Sequence, residues 1–172
     1  MALHLIIDGY NFIRQSESLR QLDREALEFG RDALIDRLTA YKKVKHHKIT
    51  VVFDGSQKYY FPENTASVKG INIRSSRHGE TADILIQKIA RQEKQKALVV
   101  SNDRELMEFA ALVGAATVST DQFEEKLMMA EMMEVKGMVP DGNEEEMRRE
   151  KKGPGKRLPK NKRRNLKKTG KL

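Results

Sequence analysis

The chain contains no cysteine, which excludes disulfide staples and thiolate zinc sites. No apolar run is long enough to span a bilayer. The N-terminus lacks the basic segment and long apolar stretch of a signal peptide. No membrane partner is expected, and the expected location is the cytoplasm. The last part of the chain lacks aromatic residues and nearly lacks acidic ones. Such a segment has no means of stacking on bases and little apolar surface to bury.

What is present is charge, unevenly placed. The 172 residues carry a net charge of +8. From Arg148 to Leu172 thirteen residues are Lys or Arg and one, Glu150, is acidic, so this stretch holds +12 and residues 1–147 hold −4. The length suits one domain with a core of ordinary size plus an appendage. The composition describes a mildly acidic body followed by a strongly basic tail. Residues 1–140 are expected to form the domain, and residues 141–172 a charged linker and basic tail. Glu144–Lys152 has the pattern of a charged helix, which Gly153-Pro154-Gly155 should stop. Beyond it the chain is expected to be disordered by itself.

The body alternates strand-like and helix-like patterns, which predicts an α/β domain with a parallel sheet. Strands are expected at Leu3–Ile7, Lys48–Phe53, Gly70–Arg74, Leu98–Ser101 and Ala116–Ser119. Helical spacing marks Arg24–Tyr41, Glu80–Gln95, Asp103–Leu112 and Asp121–Met133. The stretch between the first strand and Arg24 reads as a polar loop. Methionines 128, 129, 132 and 133 read as core and helix filling. No internal repeat is visible.

Three of the apolar runs end in an acidic residue. Leu3–Ile7 runs into Asp8, Ile49–Phe53 into Asp54, and Ala97–Val100 into Ser101-Asn102-Asp103. Parallel strands bring their carboxyl ends to one edge, where doubly wound sheets bind their ligands, and right-handed crossovers put the helices on both faces. A fourth acidic group, Glu80-Thr81-Ala82-Asp83, opens the helix before the third run. A spacing of three on a helix would put Glu80 and Asp83 on one face.

Each motif has an ordinary explanation alone. Asp8-Gly9 is a common turn, acidic residues favour helix N-termini, and Asn102 with Glu105 fits a variant capping box. Together these explanations leave the coincidence at one edge unaccounted for. Gathered carboxylates repel one another unless a cation sits among them, and an all-oxygen donor set fits Mg2+ or Mn2+. Such a site suggests phosphate chemistry.

The histidines are not needed for it. His46 and His47 read as a solvated Lys-rich turn and His4 as a packed strand residue, while His78 adjoins the acidic motif. An acidic pocket repels a polyanionic phosphate substrate, so its grip must come from elsewhere. Arg74, Arg77 and Lys69 lie near the loop entering the Glu80 helix, and Tyr59 and Tyr60, followed by Phe61, offer stacking surfaces in the loop after Asp54. In the tail, Lys151, Lys152, Lys156, Arg157, Lys162, Arg163 and Arg164 can neutralise the phosphates of a nucleic acid without reading bases.

Ile6-Ile7-Asp8-Gly9-Tyr10-Asn11, Val52-Phe53-Asp54-Gly55, Glu80-Thr81-Ala82-Asp83 and Val100-Ser101-Asn102-Asp103 together resemble the motif set of the NYN nucleases, relatives of the PIN domain, and most closely the YacP-like branch. That resemblance implies a PIN-like three-layer domain with a five-strand parallel sheet ordered 3-2-1-4-5. It also implies a metal-dependent RNA endonuclease. Carried over by position, Asp8, Asp83 and Asp103 would be metal ligands and catalytic residues. Glu80 would join the catalytic group, with Asn11, Asp54, Ser101 and Asn102 in support. The same branch resembles ribosome-associated endoribonucleases that cut messenger RNA, which makes the ribosome an expected partner. Which of Glu80 and Asp83 would contact the metal stays open.

Two other Mg2+-binding sheet-edge families fit less well. A receiver domain expects paired acids after the first strand and a lysine after the last, and a haloacid-dehalogenase nucleophile expects a second Asp where Tyr10 stands. A non-enzymatic alternative is an RNA- or ribosome-binding factor whose acidic pocket is structural.

Overall fold

The computed structural model describes residues 2–55, 65–137 and 159–172. Tyr59, Tyr60, Phe61, Lys151, Lys152, Lys156, Arg157 and the helix expected at Glu144–Lys152 lie outside the described residues.

Five parallel strands form as the apolar runs predict: β1 (His4–Asp8), β2 (Lys48–Phe53), β4 (Ile71–Ser75), β5 (Ala97–Val100) and β6 (Ala116–Val118). A further strand, β3 (Thr65–Val68), pairs antiparallel with β4. The sheet order is β3-β4-β2-β1-β5-β6. Without β3 this is the expected five-strand order. The added hairpin arm half-buries only alternate residues, so it carries no strong apolar signal.

Both sheet faces are covered, which is why the central strands are continuous apolar runs and not alternating ones. One face buries Leu5, Ile7, Val51, Phe53, Leu98 and Val100 against α1 (Gly9–Gln15), α3 (Leu27–Lys45) and α6 (Thr120–Val135). The other buries Ile6, Val52 and Val99 against α4 (Ala82–Glu93) and α5 (Arg104–Leu112). Each fully buried Leu or Ile contributes about 1.5–3 kcal/mol relative to exposure.

The stretch after β1 is not a loop. It forms α1 and then α2 (Glu17–Glu25), so helical structure begins directly at Gly9. Phe12, Ile13 and Leu19 are buried anchors, and their packing outweighs the polar residues between them. Gly9 is required by contact with the neighbouring strand. A Cβ there would come within 2.4 Å of the Phe53 ring. Gly55 is equally constrained, since a Cβ would meet the Ser76 carbonyl at 2.1 Å. These two contacts press the turns after β1 and β2 into place at the carboxyl edge.

Helix α6 packs through Phe123, Leu127 and Ala130, and this leaves the methionines off the buried face. Met128, Met129, Met132 and Met133 are exposed, contrary to the expected core role. His47 is the opposite case. His46 ends α3 in a left-handed conformation, and His47 then turns inward. Its Nδ1 accepts from the Leu3 N–H (3.4 Å) and its Nε2 meets the Lys171 carbonyl (3.2 Å). Burial lowers its pKa. His4 is packed as expected, with Nε2 2.7 Å from Thr50 Oγ1.

The last described segment corrects the expectation of a disordered end. Residues Lys160–Thr169 form α7, which lies along the free edge of β6. The Thr117 N–H donates to Asn165 Oδ1 (2.7 Å), and Asn165 Nδ2 donates to the Thr117 carbonyl (2.9 Å). One side chain thereby satisfies both edge groups of the strand, which guards against strand addition from another chain. Leu172 is buried in the main core.

Candidate active site

The carboxyl edge of the sheet assembles the acidic residues by backbone geometry. Asp8 is the last residue of β1 and precedes α1. Asp54 follows β2 directly. Asp103 follows β5 and caps α5, with Oδ1 accepting from the Leu106 N–H at 2.9 Å. Asp83 lies in the first turn of α4, whose N-terminus is capped by Thr81 accepting from the Ile84 N–H at 3.3 Å. These four aspartates line one cleft of about 460 Å³, together with Tyr10, Asn11, Arg14, Gln15, Thr81 and Ala82.

The carboxylates feel one another. Burial first, and then the charges of Asp83 and Asp103, push the Asp8 carboxyl up to about 7 against a partial offset from the Asn11 backbone and Arg14. Asp83 is also shifted upward, by burial first and then by Asp103, Asp54 and Glu105. Among the described residues, no three Asp, Glu or His side chains are drawn close enough to enclose an ion. The aspartates face a common space.

The supporting residues hold the β5 exit. Asn11 Oδ1 accepts from the Asn102 N–H (3.1 Å) and from Ser101 Oγ (3.4 Å). Ser101 Oγ in turn accepts from the Asp103 N–H (3.0 Å). Asn102 Oδ1 accepts from the Thr120 N–H (2.9 Å), at the start of α6. The expected capping box from Asn102 to Glu105 is absent, because Asp103 occupies the cap position and the Asn102 side chain is engaged elsewhere.

Glu80 does not share a helical face with Asp83. Helix α4 begins at Ala82, so Glu80 precedes the cap. Its carboxylate pairs with Lys88 Nζ and accepts from the Arg77 N–H at 3.4 Å. Lys88 holds the carboxyl below its usual range. Glu80 is absent from the cleft lining.

The expected RNA-binding residues are scattered. Arg77 is exposed in the loop between β4 and α4, near the cleft edge, and His78 beside it is exposed too. Arg74 is half-buried on β4, in register with Val52. Lys69 sits in the β3–β4 turn, at the opposite end of β4, and pairs with Asp36. Lys162, Arg163 and Arg164 belong to α7.

Arg14 and Gln15, with Tyr10 and Thr81 from within the motifs, are cleft residues to which the sequence reading gave no role. The first three share one side of α1, and a helix read from Gly9 onward would have brought them forward beside Asn11.

The YacP-like NYN domain model matches residues 5–171, from β1 through α7. A curated Bacillus subtilis protein named "Uncharacterized protein YacP" is 30% identical over 95 residues, covering 50% of this chain and 50% of that protein. The match thus spans half the length of that relative. The crystal structure of Rae1 (YacP) from Bacillus subtilis superposes with a TM-score of 0.66 at 24% identity, covering 80% of this chain and 79% of that one. A mutant of the same protein gives 0.64 at 22% identity, covering 80% and 84%. The structural likeness establishes the shared fold, and the family model extends across the acidic cleft and the docked helix alike. The chain belongs to the YacP-like NYN domain family.

Proposed function

We propose that this chain is a divalent-cation-dependent endoribonuclease that hydrolyses RNA phosphodiesters, with messenger RNA at the ribosome as its substrate. The observation that carries the reading is the convergence of Asp8, Asp54, Asp83 and Asp103 on one cleft at the sheet's carboxyl edge. Family membership is its second support, since the family is of nuclease type and points to RNA.

The donor chemistry fits a hard cation, Mg2+ or Mn2+. All donors are oxygens, and Asp8 and Asp83, raised by burial first and then by neighbouring carboxylates, would gain counter-charge from a bound cation. Asp8, Asp83 and Asp103 would hold it, with Asp54 on the cleft wall. When bound, the cation supplies charge that polarises the phosphoryl group and activates water.

The chain's own residues do the rest. The Asp8 carboxyl, raised by burial in the cation-free cleft, would be held as a carboxylate by a bound cation and serve as its ligand. Arg14, on the cleft wall, offers a guanidinium to a phosphate that would otherwise meet only carboxylates. Asn11 fixes the loop that presents Asp103, which preserves the spacing between the β1 and β5 acids.

A second reading, an RNA- or ribosome-binding factor with a structural acidic pocket, draws on the lack of any three cation-caging carboxylates among the described residues. The experiment that separates the two incubates purified protein with a messenger RNA and Mg2+, with and without translating ribosomes. New RNA ends that need both protein and Mg2+ support the nuclease. Ribosome binding without any cleavage supports the factor.

A further inference from the structure

Helix α7 presents its charge as a fixed array. Asn165 points at β6, and one turn further Lys168 and Thr169 are half-buried. Lys160, Arg163 and Lys167 fall on the opposite side of the helix at spacings of three and four, Arg164 flanks them at the rim of the crevice between α7 and β6, and all four are exposed. No acidic residue lies on α7 to neutralise them. The helix is held at its middle by the two Asn165–Thr117 bonds and at its end by buried Leu172 and by the Lys171 carbonyl against His47. Little ordering entropy is therefore lost when this ridge meets a partner.

We infer that the Lys160–Arg163–Arg164–Lys167 ridge is a docking surface for the phosphate backbone of double-helical RNA, distinct from the strand that enters the acidic cleft. The ridge lacks any aromatic residue, so it has no means of gripping the unpaired bases of a single strand. It has cations on a rigid rod spanning about 10 Å, which suits the regular phosphate rows of an A-form duplex recognised by shape.

Its place in the sheet agrees. α7 lies beyond β6, and β6 is two strands from β1 and Asp8. Two strand spacings and one helix layer put the ridge about 20 Å from the cleft centre. One phosphodiester therefore does not occupy both. The inference rests on the reading of the chain as an RNA-acting protein, and its test measures binding, not cleavage.

The test compares the full chain with a variant carrying Lys160→Ala, Arg163→Ala, Arg164→Ala and Lys167→Ala. The probes are an RNA duplex of about 16 base pairs and one of its strands alone, titrated between about 50 and 200 mM salt. The variant should lose about tenfold or more in duplex affinity, and its log–log salt slope should flatten by about 3. Single-strand affinity should change by less than about threefold. Asn165→Leu, which keeps every cation but removes the tie to β6, should weaken duplex binding by about threefold or more. Unchanged duplex affinity in the four-site variant, with melting behaviour preserved, would overturn the inference. So would an equal loss on duplex and single strand, or full duplex affinity in Asn165→Leu.

Discussion

The side-chain oxygen of Asn11 accepts a hydrogen bond from the backbone N–H of Asn102 at 3.1 Å, so the helix that follows Asp8 directly holds the loop that carries Asp103. The two acids at the centre of the sheet edge are thus spaced by one carboxamide. Asn11→Ala removes this bond and the one from Ser101. The stability cost should be about 1–2 kcal/mol, since the freed N–H is partly buried. RNA cleavage should fall by about tenfold or more through misplaced Asp103. Urea midpoints and initial cleavage rates measured together check both.

Asp8 makes stability depend on pH in a predictable direction. Its folded pKa of about 7 lies above the ordinary aspartate value of 3.8, so the folded chain holds a proton that the unfolded chain releases. Stability should therefore fall as pH rises from about 4 to 7, by up to about 4 kcal/mol for this group. Asp8→Asn should flatten that part of the profile and raise stability near pH 8. A pH series of denaturation midpoints for both proteins checks the sign.

Mg2+ should reverse the same penalty. A cation bound among the cleft aspartates stabilises the folded state by mass action. The melting temperature near pH 8 should rise with added Mg2+ in the wild-type chain and change far less in Asp8→Asn. Differential scanning fluorimetry across a Mg2+ titration reads this without any activity assay.

Glu80 and Asp83 should separate cleanly. Glu80 is committed to Lys88 and the Arg77 N–H outside the cleft, whereas Asp83 faces Asp8 and Asp103. Glu80→Gln should keep cleavage within about threefold of wild type, and Asp83→Asn should lose about a hundredfold. Parallel rate measurements under saturating Mg2+ decide it.

Much of the sheet was legible in the sequence, because strands covered on both faces become uninterrupted apolar runs. Leu5, Ile6 and Ile7 are such a run, and their end at Asp8 marked the edge where the site lies. The edge strand β3 was not legible, since a half-buried arm leaves no comparable pattern. Asp8, Asp54 and Asp103 could be placed together because parallel topology fixes where strand ends go, and Asp83 joins them because it opens the helix that leads into β5. Glu80 was misplaced by a shift of two residues in the start of α4, enough to change the side of the chain it faces. Arg14 was hidden because α1 is only seven residues long, and its packing through Phe12 and Ile13 is a tertiary effect. The same holds for α7, whose docking depends on a single amide meeting a strand edge that local composition does not reveal.

The most direct measurement is the cleavage rate of Asp8→Asn and Asp83→Asn on messenger RNA with Mg2+, alongside circular dichroism and ribosome co-sedimentation. Both variants should lose at least about a hundredfold in rate while keeping fold and association. Wild-type cleavage by both variants, with Mg2+ still required, would contradict the assignment of the acidic cleft as the catalytic centre.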